Sequence, residues 1–266
     1  GASNIYSDRA IECLLLLKAV FKLPLRATQG LARSLIKLMN VVVDIPHYST
    51  LSRRQALLSI SLGVSSSASS RHIVVDSTGI KVYGEGEWKV RKHGYSKRRT
   101  WRKLHLAVDA NSHEIVAVTT THNGVGDGET LPGLLEQIEG EIREVSGDGA
   151  YDTRACYEAI NQRQATGLIP PRKGAKIWQH GNCKGVRHNR DENLRSVRKN
   201  GMKRWKLDSG YHQRSLAETA MYRVKQLMGA TLSSRGFGHQ CVELLIRCAA
   251  VNRMTKLGMP ESELVS

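Results

Sequence analysis

At 266 residues and a net charge of +16, the chain can bury a sizeable core and is basic enough to favour a polyanionic partner, nucleic acid above all. No apolar run reaches the roughly 18 residues of a spanning helix and no secretory leader is visible, so membrane function is excluded on this reading. Cys13, Cys156, Cys183, Cys241 and Cys248 are scattered and odd in number, which fits reduced cytosolic thiols and not a disulfide framework.

The opening Gly1-Ala2-Ser3 lacks a methionine, which leaves a truncated natural start open. Residues 1–60 read as a helical domain. Ser7 can cap a first helix with Ile11, Leu14, Leu15 and Val20 as apolar positions. After a turn at Leu23-Pro24-Leu25, a second helix is expected from about Thr28 to Met39, with Leu31, Leu35 and Leu38 on one side. A third opens at Ser49 and carries Arg53 and Arg54. Three short helices with arginines on the third can form a helix-turn-helix DNA reader, or equally a helical scaffold. The serine-rich residues 61–70 read as a linker.

Beyond the linker the period becomes that of strands. His72 to Val82, Trp101 to Asp109 and Glu114 to Thr121 are expected strands. Helix 129–139 follows, then a short strand at Arg143 to Gly147, helix 153–164, strand Gly167–Pro170 and a long helix 212–228. A helix over about 239–256 should close the core. This order predicts an α/β fold, a mixed sheet with helices on both faces.

Two aspartates are placed as site residues. Asp76 follows Ile73-Val74-Val75, as though ending a strand, where Asp is otherwise disfavoured. Asp148 sits in the glycine-flanked segment Gly147-Asp148-Gly149-Ala150-Tyr151-Asp152. Each alone also reads as a turn residue. On the helix expected over 212–228 and just ahead of it, Tyr211, Arg214, Glu218 and Lys225 fall within an arc of about 60° at 100° per residue. Glu218 supplies a third carboxylate. Three carboxylates brought together repel, and two divalent cations about 3.5–4 Å apart remove that penalty while activating and stabilising oxygens in a phosphodiester. All-oxygen ligands favour Mg²⁺ or Mn²⁺. His180, Cys183 and His188 lack zinc spacing and read as a polar loop.

Asp76, Asp148 and Glu218, with Tyr211-x2-Arg214-x3-Glu218-x6-Lys225, resemble the DDE transposases of bacterial insertion sequences. The closest resemblance is to the group with the Y-R-E-K signature, the insertion-sequence five group, over about residues 5 to 257. It implies a ribonuclease H-like five-stranded catalytic domain over residues 71–257, with a basic insert at 172–206. It also implies two Mg²⁺ ions on Asp76, Asp148 and Glu218. Water and then a 3′-hydroxyl would attack phosphodiesters at transposon ends and target DNA. Arg214 and Lys225 would hold phosphates, and Tyr211 would position the DNA. Double-stranded DNA, both terminal inverted repeats and target, is the implied partner of a cytoplasmic, nucleoid-associated homodimer. Only 69 residues separate Asp148 from Glu218, too few for the large β-rich insertion of some relatives. Two other readings stand beside it: a non-catalytic DNA-binding derivative, and a plain metal-dependent nuclease of the same fold.

Residues 172–206 hold twelve Lys or Arg, Arg172 and Lys173 among them, with Trp178 and Trp205 interleaved. Residues 81–103 hold nine more cations, including Lys97, Arg98 and Arg99. Both stretches are expected to contact the DNA backbone. His105 reads as a structural histidine, and Asp127 and Asp152 as helix caps.

Overall fold

A computed structural model of the chain describes residues 5–66, 69–82, 101–179 and 188–258. Lys97, Arg98, Arg99, His180 and Cys183 lie outside these residues. Two compact units emerge, one from Val64–Gly79 and Arg102–Tyr222, the other from Gly1–Gly63, Ile80–Trp101 and Arg223–Ser266.

The unit that holds the three carboxylates is built on strands β1 (Arg71–Val82), β2 (Trp101–Asp109), β3 (Ile115–His122), β4 (Ile142–Ser146) and β5 (Thr166–Leu168), in the order β3-β2-β1-β4-β5. β2 and β3 are antiparallel, while β4 runs parallel to both β1 and β5. The sheet is therefore mixed. Ile73, Val74 and Val75 of the central strand are fully buried, as expected for a β-branched run covered on both faces. Helices α4 (Asp127–Glu136) and α5 (Arg154–Gln162) bury Leu131, Leu134, Leu135, Tyr157 and Ile160 in one cluster with Ile73, Val75, Ala107 and Val145. Helices α6 (Asn189–Asn200) and α7 (Met202–Asp208) follow. Asn189 Oδ1 accepts from Gly167 N at 2.8 Å and Asn193 Nδ2 donates to Gly167 O at 2.7 Å, which ties α6 to β5.

Three expectations change here. Asp76 does not end a strand: β1 continues through it, polar at Ser77-Thr78-Gly79 and buried again at Ile80. The helix expected over 212–228 also starts later. Gly210 turns the chain at φ 67°, Tyr211–Arg214 form a 3₁₀ turn, and α8 covers Ser215–Met228. The four-residue stripe is thus not one α-helical face. Glu218 and Lys225 share a face of α8 two turns apart, whereas Tyr211 and Arg214 align through the three-residue period of the 3₁₀ turn. The serine-rich stretch is also no loose linker where it is described. Ser65 donates through both N and Oγ to Glu114, at 3.1 and 3.0 Å, and Arg71 Nη2 donates to Ser65 O at 2.9 Å.

In the second unit, α1 (Asp8–Val20), α2 (Leu25–Leu38) and α3 (Tyr48–Arg54) assemble with α9 (Phe237–Lys256). The N-terminal helices therefore share a unit with the last helix instead of standing alone. Ser7 caps α1, its hydroxyl accepting from Ala10 N at 3.2 Å. Arg253 Nη2 meets Glu12 at 2.8 Å across α9 and α1. The buried face of α2 is Thr28, Gln29 and Ala32, not the expected leucine row: Leu38 is 82% exposed. The strand β6 (Thr231–Leu232) pairs in parallel with Lys81 and Val82, a sixth strand beyond the five expected.

Candidate active site of three carboxylates

The parallel register leads towards the two aspartates. Val74 of β1 pairs with Ser146 of β4, the last residue of that strand. Asp76 lies two residues further along β1 and Asp148 at the head of the 3₁₀ turn that follows β4, near enough for the charge of Asp148 to act on Asp76. Gly147 makes this approach possible, because a Cβ there would lie 2.8 Å from Tyr151 Cδ2 and 3.1 Å from Val75 Cγ2. One oxygen of each aspartate is fixed by backbone: Asp76 Oδ1 accepts from Ser77 N at 2.8 Å, and Asp148 Oδ1 from Ala150 N at 2.8 Å.

The turn that bears Asp148 is held from outside. Arg172 donates from Nε to Gly149 O and from Nη2 to Ala150 O, both at 2.8 Å, and its backbone N donates to Asp152 Oδ2 at 2.9 Å. Asp152 also receives Arg190 Nε at 3.0 Å, with both side chains buried. Arg190 reaches Asp191 at 3.3 Å, donates to Lys176 O and lies 4.2 Å from the centre of the Trp178 ring. Asp191 in turn accepts from the backbone N–H groups of Trp178 and Gln179. The arginine and two aspartates pin the segment around Arg172 to α6.

Glu218 joins through Arg214. Its Nη1 lies 3.2 Å from Asp76 Oδ2, and its Nη2 binds Glu218 Oε1 one helical turn further on. Tyr211 is buried against Trp205, with ring centres 5.5 Å apart. Burial raises the Tyr211 phenol above its ordinary value; Arg214 opposes this, while Asp148, Asp76 and Glu218 add to it. Asp76 is likewise pushed above the usual carboxylate range. Burial is the largest cause, the Ser77 N–H and Arg214 oppose it, and Asp148 and Glu218 reinforce it. Asp76, Asp148, Glu218, Arg214 and Tyr211 therefore feel one another's charge.

A family model described as a transposase DDE domain matches residues 67–253, and a second of the same description matches residues 1–85. The chain belongs to the DDE transposases. Such domains use divalent metal ions, and the donor set fits them chemically, since all three carboxylates offer hard oxygen ligands. Their present spacing does not yet make a cage: among the described residues, no three His, Cys, Asp or Glu side chains are grouped to hold an ion. The Arg214 guanidinium stands as the cation between Asp76 and Glu218 instead.

The other expected residues of this transposase divide sharply. Lys173 and Arg53 are exposed. Arg54 is engaged inside its own unit, paired with Asp8 and donating to Tyr6 O, and Arg172 is spent on the Asp148 turn. Both guanidinia thus already have partners within the protein. Lys225 is half-buried on α8. Trp205 is buried and Trp178 packs against the core, so neither ring is laid out for stacking on a base. Asp127 and Asp152 are not caps. Gly126 and Thr153 hold the N-cap positions of α4 and α5, while Asp127 binds Lys103 Nζ at 2.8 Å. His105 is structural, buried between Thr121 at 2.8 Å and Thr130 at 3.2 Å. Sequence reasoning missed the Arg172–Asp152–Arg190 support altogether. Its only trace was a second aspartate in the segment that carries Asp148. No described helix is long and apolar enough to cross a membrane.

Proposed function

We propose that this DDE transposase cleaves phosphodiesters at the ends of an insertion sequence and joins them to target DNA, with Asp76, Asp148 and Glu218 as its catalytic carboxylates. The observation that supports this reading is that Arg214 bridges Asp76 and Glu218 while the charges of Asp148 and Glu218 both act on Asp76. Two Mg²⁺ ions, or Mn²⁺, bound there would supply activation of the attacking oxygen and stabilisation of the leaving one. The chain's own part is position and charge. Ser77 N–H and Ala150 N–H each hold one oxygen of the two aspartates, which turns Asp148 Oδ2 and Asp76 Oδ2, the latter on Arg214, towards a ligand. Arg214 and Lys225 are assigned to phosphates, and Tyr211 to packing that seats the Arg214 turn. Its burial supports that role better than a direct grip on DNA. The Y-R-E-K spacing supports assignment to the insertion-sequence four/five superfamily, most like the five group, and with that assignment go two copies acting on two terminal inverted repeats.

Lys173 and Arg53 are assigned to the DNA backbone, together with Lys97, Arg98 and Arg99. The test is incubation of the protein with a transposon-end duplex, target DNA and Mg²⁺. Cleavage followed by strand joining supports a transposase. Cleavage with no joined product under any target DNA leaves a plain nuclease, and binding without cleavage leaves a DNA-binding derivative.

A further inference from the structure

Arg214 takes up one carboxylate oxygen each of Asp76 and Glu218. Asp76 Oδ1 is occupied by the Ser77 N–H at 2.8 Å. Its second oxygen, Oδ2, is the one that meets Arg214 Nη1 at 3.2 Å. The other arm of the same guanidinium binds Glu218 Oε1. A planar fork with two arms suits this double grip, and it suits a phosphate equally well.

We infer that Arg214 is a latch that couples DNA binding to metal loading: in the DNA-free protein it holds Asp76 and Glu218 to itself, and a DNA phosphate draws it away and frees both carboxylates. The inference rests on the proposed assignment of these carboxylates as ligands. Its physical basis is charge. A guanidinium within contact of two carboxylates repels a divalent ion approaching the same oxygens. Release begins at the open arm. The Glu218 side chain is 55% exposed, and pairs open to solvent are weak. The Asp76 arm is more enclosed, with Asp76 18% and Arg214 24% exposed, so a phosphate has to replace that contact with one of its own. A phosphate entering at the exposed side competes for the same fork without unfolding anything. The three carboxylates then stand without their internal cation. They repel one another, and a divalent ion becomes the favoured neutraliser. The latch keeps the site poorly loaded until a substrate backbone lies across it, which limits stray hydrolysis.

The test measures Mn²⁺ binding by loss of the free-ion paramagnetic resonance signal, with full-length protein and no DNA. Arg214→Gln should bind Mn²⁺ about tenfold or more tighter than the wild type, and Arg214→Lys, charged but unable to bridge, should fall between. A short mixed-sequence duplex should tighten Mn²⁺ binding to the wild type and leave Arg214→Gln unchanged. Thermal melts establish that each variant is folded, and Arg214→Lys carries the test if Arg214→Gln is not. Equal affinity of wild type and both variants, with Glu218→Gln weaker than all of them, overturns the latch and leaves the ligand assignment standing. Binding by Arg214→Gln that survives a second Glu218→Gln change overturns both.

Discussion

Val74 of β1 lies opposite Ser146 of β4 in parallel register, and Asp76 and Asp148 each stand two residues beyond that pair. Asp76 remains within β1, while Asp148 heads the 3₁₀ turn just after β4, so the paired strands deliver both carboxylates to one end of their ladder. The site therefore depends on how closely the two chains approach at Gly147.

Gly147→Ala should damage the site through packing. The added Cβ meets the buried Tyr151 ring at 2.8 Å and Val75 at 3.1 Å, and neither neighbour has room to retreat. Overpacking of this kind costs about 1–3 kcal/mol. Urea denaturation should show that loss, and cleavage should fall with it.

Arg172→Met should slow cleavage by about tenfold to a hundredfold, because the turn that carries Asp148 loses two hydrogen bonds and a small misplacement of a reacting group is expensive. DNA affinity and its salt dependence should change little. A fall of about one unit in the slope of log affinity against log salt would instead mark Arg172 as a phosphate contact.

Asp152→Ala should be strongly destabilising, by about 3–5 kcal/mol, since it leaves the buried guanidinium of Arg190 without one of its two carboxylates. Equilibrium unfolding against the wild type measures this directly.

The order of strands and helices in the carboxylate-bearing unit was legible because its signals are local. β-branched runs such as Ile73-Val74-Val75 and the leucine spacing of α4 declare their period within a few residues. The break before α8 was not. Tyr211 to Arg214 share the helical pattern, and only the left-handed Gly210 ahead of them shows that the turn is tighter. Charge patterning was silent on partners for a related reason. Arg54 and Arg172 look like free cations in the sequence, and only the folded chain brings Asp8 to one and the carbonyls of Gly149 and Ala150 to the other. The proposed carboxylates could be picked from the sequence, but not the guanidinium that bridges Asp76 and Glu218.

Stability should fall as the solution is acidified through the titration of His105. Burial, the largest cause, lowers its folded pKa to about 4, with Asp127 opposing and Lys103 assisting. The unfolded histidine takes its proton near pH 6.5, so the stabilisation is complete above that pH and is lost progressively as pH drops towards about 4. The shift corresponds to up to about 3 kcal/mol. Unfolding measured in urea at about pH 7 and about pH 5 should show a decline, and His105→Gln should flatten it.

The most direct measurement compares Mg²⁺-dependent cleavage of a transposon-end duplex by the wild type with Asp76→Asn, Asp148→Asn and Glu218→Gln, with DNA binding by each protein measured in parallel. Each variant should lose cleavage by more than about 10³-fold while retaining DNA affinity within about threefold. Near wild-type cleavage by any one of the three would contradict a single catalytic set of carboxylates.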